Sequence, residues 1–312
     1  MIILSGPNYR YAGERLDRPT IIVIQDHHYD PDSGYALRQL LDASVCDKHS
    51  HLLVFDHVLR QDEFNDYDCV CLPLLMAAEC REFQQQAIPT HWQAREHAFN
   101  FMINKPRPHR RILMDTILEL GLTNYRHSLC WSNGYGGIPG TDFRFGDERC
   151  LEQGMLNGQH TNASTYQYLL KRSVFECTAV SLITEPVFYE RETIITEKTV
   201  MAMWAGTLPI WVGGWHCADV MREFGFDVFD DVIDHSYQSL ADPHDRCRQA
   251  IVRNLPLLEQ VTDLSPLHSR LQHNLDLMRD NIWLQKINHI VRGHPHLETL
   301  VTQFRHGLLG SC

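Results

Sequence analysis

Positive charge is scarce in this chain. Its 28 lysines and arginines stand against 39 aspartates and glutamates, a net charge of −11 at neutral pH. Nucleic acid and anionic membrane surfaces are therefore poor partners, although a local basic cluster can still hold a phosphate. The 19 histidines move that charge toward zero below about pH 6.5. Ten cysteines are present without one C-x-x-C pair, which argues against a zinc ribbon. Cys46, Cys69, Cys71, Cys80, Cys130, Cys177 and Cys217 mostly stand in or beside apolar runs, where cysteine acts as a small core residue. Reduced thiols in a cytosol-like compartment are expected, and Asn162-Ala163-Ser164 then matches the N-glycosylation pattern by chance. The opening Met-Ile-Ile-Leu is too short for a signal peptide or membrane anchor, and no membrane span is expected. Repeats and low-complexity tracts are missing too.

What is present is ordinary globular material. A chain of 312 residues, 44% hydrophobic and 21% charged, can bury two medium α/β cores. Apolar runs predict strands at 20–25, 51–55 and 69–75, with helices at 35–45 and 77–86. A second series begins with a strand at 98–103 and a helix at 109–120 that Gly121 stops. Strands at 127–131 and 178–184 follow, separated by a Gly-, Asn- and Asp-rich loop at 132–160 and a helix at 166–172. A helix at 216–224, a short acidic-rimmed strand within 226–234 and helices broken near Pro256 and Pro266 complete the chain. The expected fold class is α/β: two Rossmann-like doubly wound domains, 1–95 and 96–312, with a helical C-terminal portion. That architecture is known as GT-B.

The stretch 191–214, RETIITEKTVMAMWAGTLPIWVGG, organises the rest. Thr196 is placed as an N-cap; Val200, Met203 and Trp204 recur at helical spacing, and Gly206 is a stop. Residues 208–212 read as a buried strand that Gly213-Gly214 ends. Glu197 suits the positive end of a helix dipole and Lys198 does not. A lysine beside free N–H groups makes sense if an anion joins them, phosphate above all. The alternative is an exposed lysine on a tolerant first turn. As an unpaired cation, Lys198 should be removable from the empty protein at no cost to stability.

Thr196-Glu197-Lys198, then Ala205-Gly206-Thr207-Leu208-Pro209-Ile210 and Gly213, resembles the donor-site signature of the α1,3-fucosyltransferase family. Lys171, Phe175 and a strand closing at Thr184-Glu185-Pro186 stand where that family has a Lys-Phe pair and a strand ending in Phe-Glu-Asn. Phe101–Asn104 with Arg110 and Arg111 resembles its strand, turn and arginine-led helix. The likeness covers roughly 97–230. It implies a nucleotide-sugar donor, GDP-fucose by resemblance only, with the Glu197 carboxylate on the ribose hydroxyls and Lys198 and an arginine at the diphosphate. Lys171, Glu185 and Thr196 are carried over as donor-site residues. Arg191 is a further phosphate candidate, or a solvated loop charge. Animal and plant members of the family carry a membrane anchor, so a cytoplasmic, bacterial or viral type is expected.

Asp26-His27-His28, after a strand, admits a general base, metal ligands or incidental surface histidines. Glu79 is a second candidate base. Asp66-Tyr67-Asp68 imitates a metal-binding D-x-D but precedes its strand, and reads as a polar lead into it. Gly134-Tyr135-Gly136-Gly137 lacks the flanking strand and helix of a phosphate loop. The function expected is an inverting, metal-independent glycosyltransferase with no cofactor, acting on a glycan or other hydroxyl acceptor held by the first domain. The alternatives are an inert nucleotide-sugar-binding or scaffold protein, and a metal-dependent enzyme using Asp26.

Overall fold

The computed structural model describes residues 2–5, 16, 20–25, 31–45, 47–55, 64, 66–71, 76, 80, 95–103, 107–122, 128–132, 175–185, 193–279, 298 and 302. Within them eight strands form two four-stranded sheets, both wholly parallel. Parallel strands need crossovers, and where the connections are described, helices supply them. The α/β class is therefore as expected.

The first sheet comprises β1 (Ile2–Ser5), β2 (Ile21–Gln25), β3 (Leu52–Phe55) and β4 (Asp68–Cys71), in simple succession β1-β2-β3-β4. Ile2–Ser5 is the strand that sequence reasoning missed: Ile2 pairs with Ile22 at one edge. Helix α1 (Pro31–Ser44) begins earlier than expected and packs Leu37 and Leu41 on Ile22, Ile24, Leu53 and Phe55. Asp66 is an ion-pair hub. Arg38 grips it with Nη1 at 2.6 Å, and the Lys48 ammonium is 2.5 Å away and 2.7 Å from Asp42. Hydrogen bonds from Arg38 and then Lys48 hold the Asp66 carboxyl well below the usual carboxylate range. The D-x-D imitation thus ties α1 to the start of β4.

The second sheet runs β6-β5-β7-β8, from β5 (His97–Ile103), β6 (Ser128–Ser132), β7 (Thr178–Ile183) and β8 (Leu208–Trp211). Helix α2 (Pro108–Glu119) connects β5 to β6, and α3 (Glu197–Trp204) connects β7 to β8. Further on lie α4 (Cys217–Glu223), α5 (Pro243–Val252), α6 (Leu255–Leu258) and α7 (His268–Arg279). Phe99, Phe101, Leu182 and Ile210 join α2 and α5 in one buried cluster, while Trp211 joins α3, α4 and the end of α7 in another. Helices therefore cover both faces, the doubly wound arrangement, and the reversal of strand order belongs to this sheet alone among the described strands. Met76 and Cys80, ahead of the expected boundary at 95, pack into the Trp211 cluster.

A polar ladder threads this core. Asn100 Nδ2 donates to Thr178 Oγ1 (2.5 Å) and Ser181 Oγ (3.0 Å), and Thr207 Oγ1 donates to Ser181 or to the Ala202 carbonyl. These hydrogen bonds link β5, β7 and the turn after α3 within the core.

Two expectations are corrected. No strand forms within 226–234. Asp227 Oδ1 accepts the Phe229 N–H at 2.8 Å, Asn274 bonds the Asp227 backbone, and Phe229 takes a left-handed φ of 62°. Side chains there satisfy the backbone in place of a ladder. Cys69 is exposed rather than in the core, whereas Cys80, Cys217 and Cys247 are buried. The helix at 166–172, most of 77–86 and the loop beyond Ser132 lie outside the described residues.

Candidate functional site

Open parallel sheets hold ligands outside the carboxyl ends of their strands, where the strand order reverses. Here α2 leaves β5 toward β6, while β7 lies on the other side of β5 and α3 leads from it to β8. The reversal therefore falls between β5 and β7. The residues that follow those two strands are the N-terminus of α2, the Thr184-Glu185 pair, and the N-terminus of α3.

Thr196 caps α3 as its sequence predicts. Its backbone is extended (φ −115°, ψ −175°), and Oγ1 accepts from the Lys198 N–H at 3.4 Å. Unlike the expected one-sided stripe, the helix is buried from Thr199 to Trp204 all round. Its far end is a Schellman cap: Gly206 N donates to Met203 O (3.0 Å), Thr207 N to Ala202 O (3.1 Å), and Gly206 has φ 64°. Arg95 reinforces that end by donating to the carbonyls of Ala205 (2.9 Å) and Gly206 (2.8 Å).

Glu185 is buried at the centre. Its Oε1 accepts from Thr196 N (3.0 Å) and Thr199 Oγ1 (2.6 Å), and its Oε2 from Thr196 Oγ1. Thr199 Oγ1 in turn accepts the Trp211 indole N–H at 2.9 Å. Burial pushes the Glu185 carboxyl up, while Lys198, whose ammonium is 4.0 Å away, and the threonine hydroxyls oppose that.

Lys198 is not the unpaired cation expected. Its ammonium donates to Glu197 Oε1 (2.7 Å) and Thr196 Oγ1 (3.0 Å). Burial raises the Glu197 carboxyl, but Lys198 outweighs it by charge and hydrogen bond, and the net shift is downward. The Lys198 and Glu197 side chains are 27% and 24% exposed, so both are within reach of a ligand.

The start of α2 supplies more cations. Arg107 is the N-cap in extended conformation with Pro108 in the first turn. Arg110 is buried and donates Nη2 to Thr184 O at 3.4 Å. Burial and the neighbouring Arg107 charge pull its guanidinium down to about 10, against Glu185 and Glu197, so it remains cationic at neutral pH. Arg111, one residue on, is exposed and pairs with Asp115 at 3.9 Å. The structure thus brings Arg110, Glu185, Thr196, Glu197 and Lys198 together and leaves Arg111 out. Asp26, Glu79, Lys171 and Arg191 lie outside the described residues.

His109, Arg107, Thr199 and Trp211 escaped sequence reasoning. His109 is fully buried at the start of α2; burial, then Arg110 and Arg107, push its imidazole down to about 3, so it is neutral. Thr199 was legible: three residues past the N-cap, its hydroxyl shares a helix face with that of Thr196.

A cavity of about 580 Å³ opens beside α4, lined by His216, Asp219, Arg222, Asp230, Asp234 and His235 among others. None of the anticipated residues lines it. Its acidic rim is unsuited to a phosphate, and Arg222 there is paired with Asp219 and Asp230. The cations that could hold an anion stand instead in the α2–α3 cluster. Among the described residues no group of histidine, cysteine or carboxylate side chains has metal-binding geometry, and no helix is long and apolar enough to cross a membrane. No protein-family description, curated protein or solved structure matches the chain.

Proposed function

We propose that this protein is an inverting, metal-independent glycosyltransferase, similar to the α1,3-fucosyltransferases, that moves a sugar from a nucleoside diphosphate to a hydroxyl acceptor. One observation carries the reading: Arg110, Lys198 and two helix N-termini converge where the second sheet reverses, with the Glu197 carboxylate beside them. In such a reaction the acceptor oxygen attacks the anomeric carbon and the bond to the diphosphate breaks. The negative charge gathers on the leaving group, and a base takes the acceptor proton. Fixed cations and helix N–H groups lower the energy of that charge without reorganising. Arg110 and Lys198 are assigned to the diphosphate, and Glu197 to the ribose hydroxyls. The reading divides the chain at about residue 95 in the GT-B manner, with the acceptor and the base, Asp26 or Glu79, on the first side.

The test is release of nucleoside diphosphate from a panel of nucleotide sugars, GDP-fucose included, with and without hydroxyl acceptors. Turnover should persist in EDTA. Complete loss on chelation, restored by manganese or magnesium, contradicts the metal-independent mechanism. The pairing of Lys198 inside the protein favours a second reading, an inert nucleotide-sugar-binding protein. Binding with no turnover of any donor would select it.

A further inference from the structure

Glu185 is 1% exposed and both its oxygens are engaged, so a donor cannot reach it. The hydrogen-bond directions around it are fixed by counting protons. Thr199 Oγ1 already accepts from Trp211, and Thr196 Oγ1 already accepts from the Lys198 ammonium and backbone N–H. Each hydroxyl has one proton, and both protons go to Glu185. With the Thr196 N–H, three donors converge on one carboxylate, an arrangement that suits the ionised form. A protonated Glu185 would itself donate to a threonine oxygen, and that hydroxyl's own proton would lose the acceptor it now has.

We infer that Glu185 is the positioning residue of this site: a buried carboxylate that orients the first turn of α3 and holds the Lys198 ammonium toward the opening without touching the ligand. Lys198 has three N–H groups. Two go to Thr196 and Glu197, and the third, with no hydrogen-bond partner among the described residues, is left for an anion at the crevice between β5 and β7. The direction of the Thr196 hydroxyl, imposed by Glu185, makes its oxygen an acceptor for Lys198. The inference rests on the nucleotide reading of the site, and it replaces direct donor contact by Glu185.

Glu185→Gln is the decisive variant, because it keeps the shape and turns one acceptor into a donor. The new amide N–H points at Thr196 Oγ1, where the Lys198 donors already converge. Calorimetry with GDP, UDP and ADP, and with their nucleosides, should show about a tenfold or greater loss of diphosphate affinity in Glu185→Gln. Nucleoside affinity should stay within about twofold of wild type, and melting should stay cooperative. Equal loss for diphosphate and nucleoside, or no loss, overturns the inference.

If wild type binds no nucleoside diphosphate, the proposed function fails, and the positioning role is read in the empty protein. There Glu185→Gln should shift the Trp211 indole N–H resonance, assigned with Trp211→Phe. It should also speed Thr196 amide exchange about tenfold relative to the end of α3. An unmoved resonance with unchanged exchange overturns the inference in that case.

Discussion

An ammonium held 2.7 Å from one carboxylate and 4.0 Å from a buried second one is part of the fold as well as of the site. Sequence reasoning read Lys198 as a cation out of place on a helix dipole and expected its removal to be harmless to the empty protein. The pairing with Glu197 and Glu185 reverses that expectation. Lys198→Ala should lower stability by about 1–3 kcal/mol, because it leaves two carboxylates without their cation. In the nucleotide reading it should also weaken diphosphate binding by roughly one to two decades, the worth of a charge-assisted hydrogen bond. Denaturant melts paired with calorimetry check both arms; an unchanged midpoint would return the lysine to the solvated surface.

His109 makes a pH prediction. Its folded-state titration is depressed to about 3 from an ordinary 6.5. Between those values the unfolded chain binds the proton and the folded one does not, so stability is full above about pH 6.5 and falls as the pH drops toward 3. The slope contributed is at most about 1.4 kcal/mol per pH unit. Burial displaces His51 and His235 the same way, while the raised Glu185 carboxyl acts in the opposite sense over its own range. Comparing melts from pH 7 to 5 for wild type and His109→Gln isolates the one group. The variant should show a shallower fall, and parallel curves would mean His109 titrates normally.

At the scale of elements, α3 was the most legible part of the chain. Its N-cap, its glycine stop and the strand after it follow from Thr196, Gly206 and the run Leu208–Trp211. Local chemistry decides such features, and local chemistry is written in neighbouring residues. Gly206→Ala should cost about 1–2 kcal/mol, since a Cβ at φ 64° meets the following carbonyl. Gly214→Ala should cost at least as much: besides its φ of 55°, a Cβ there would stand 2.7 Å from Cys217 Sγ. Thermal melts of the two variants check this. The stretch 226–234 was illegible for the complementary reason. Asn274, 47 residues from Asp227, satisfies its backbone, and no window around residue 227 contains that partner. The side on which an arginine of α2 points was equally hidden. Arg110 and Arg111 are neighbours in sequence, and only the packing of the helix on β5 and β7 turns one inward and the other to solvent.

For the whole molecule, the alternation of strands and helices was enough to expect parallel α/β sheets, and strand order was not. Succession in the first sheet and reversal in the second depend on which edge each crossover returns to, a choice no periodicity records. Yet that choice selects the site, because it marks the end of β5 and β7 rather than any end of the first sheet. The resemblance around 196–213 and the reversal of strand order are independent of each other, and both lead to the N-terminus of α3. The measurement that bears most directly on this convergence is a crystal structure with the nucleoside diphosphate that most raises the melting temperature. The diphosphate is predicted to lie across the N-termini of α2 and α3, within hydrogen-bond reach of Lys198 and Arg110, with the ribose at Glu197. A nucleotide bound at the first sheet, or in the aspartate-lined cavity beside α4, would contradict the account.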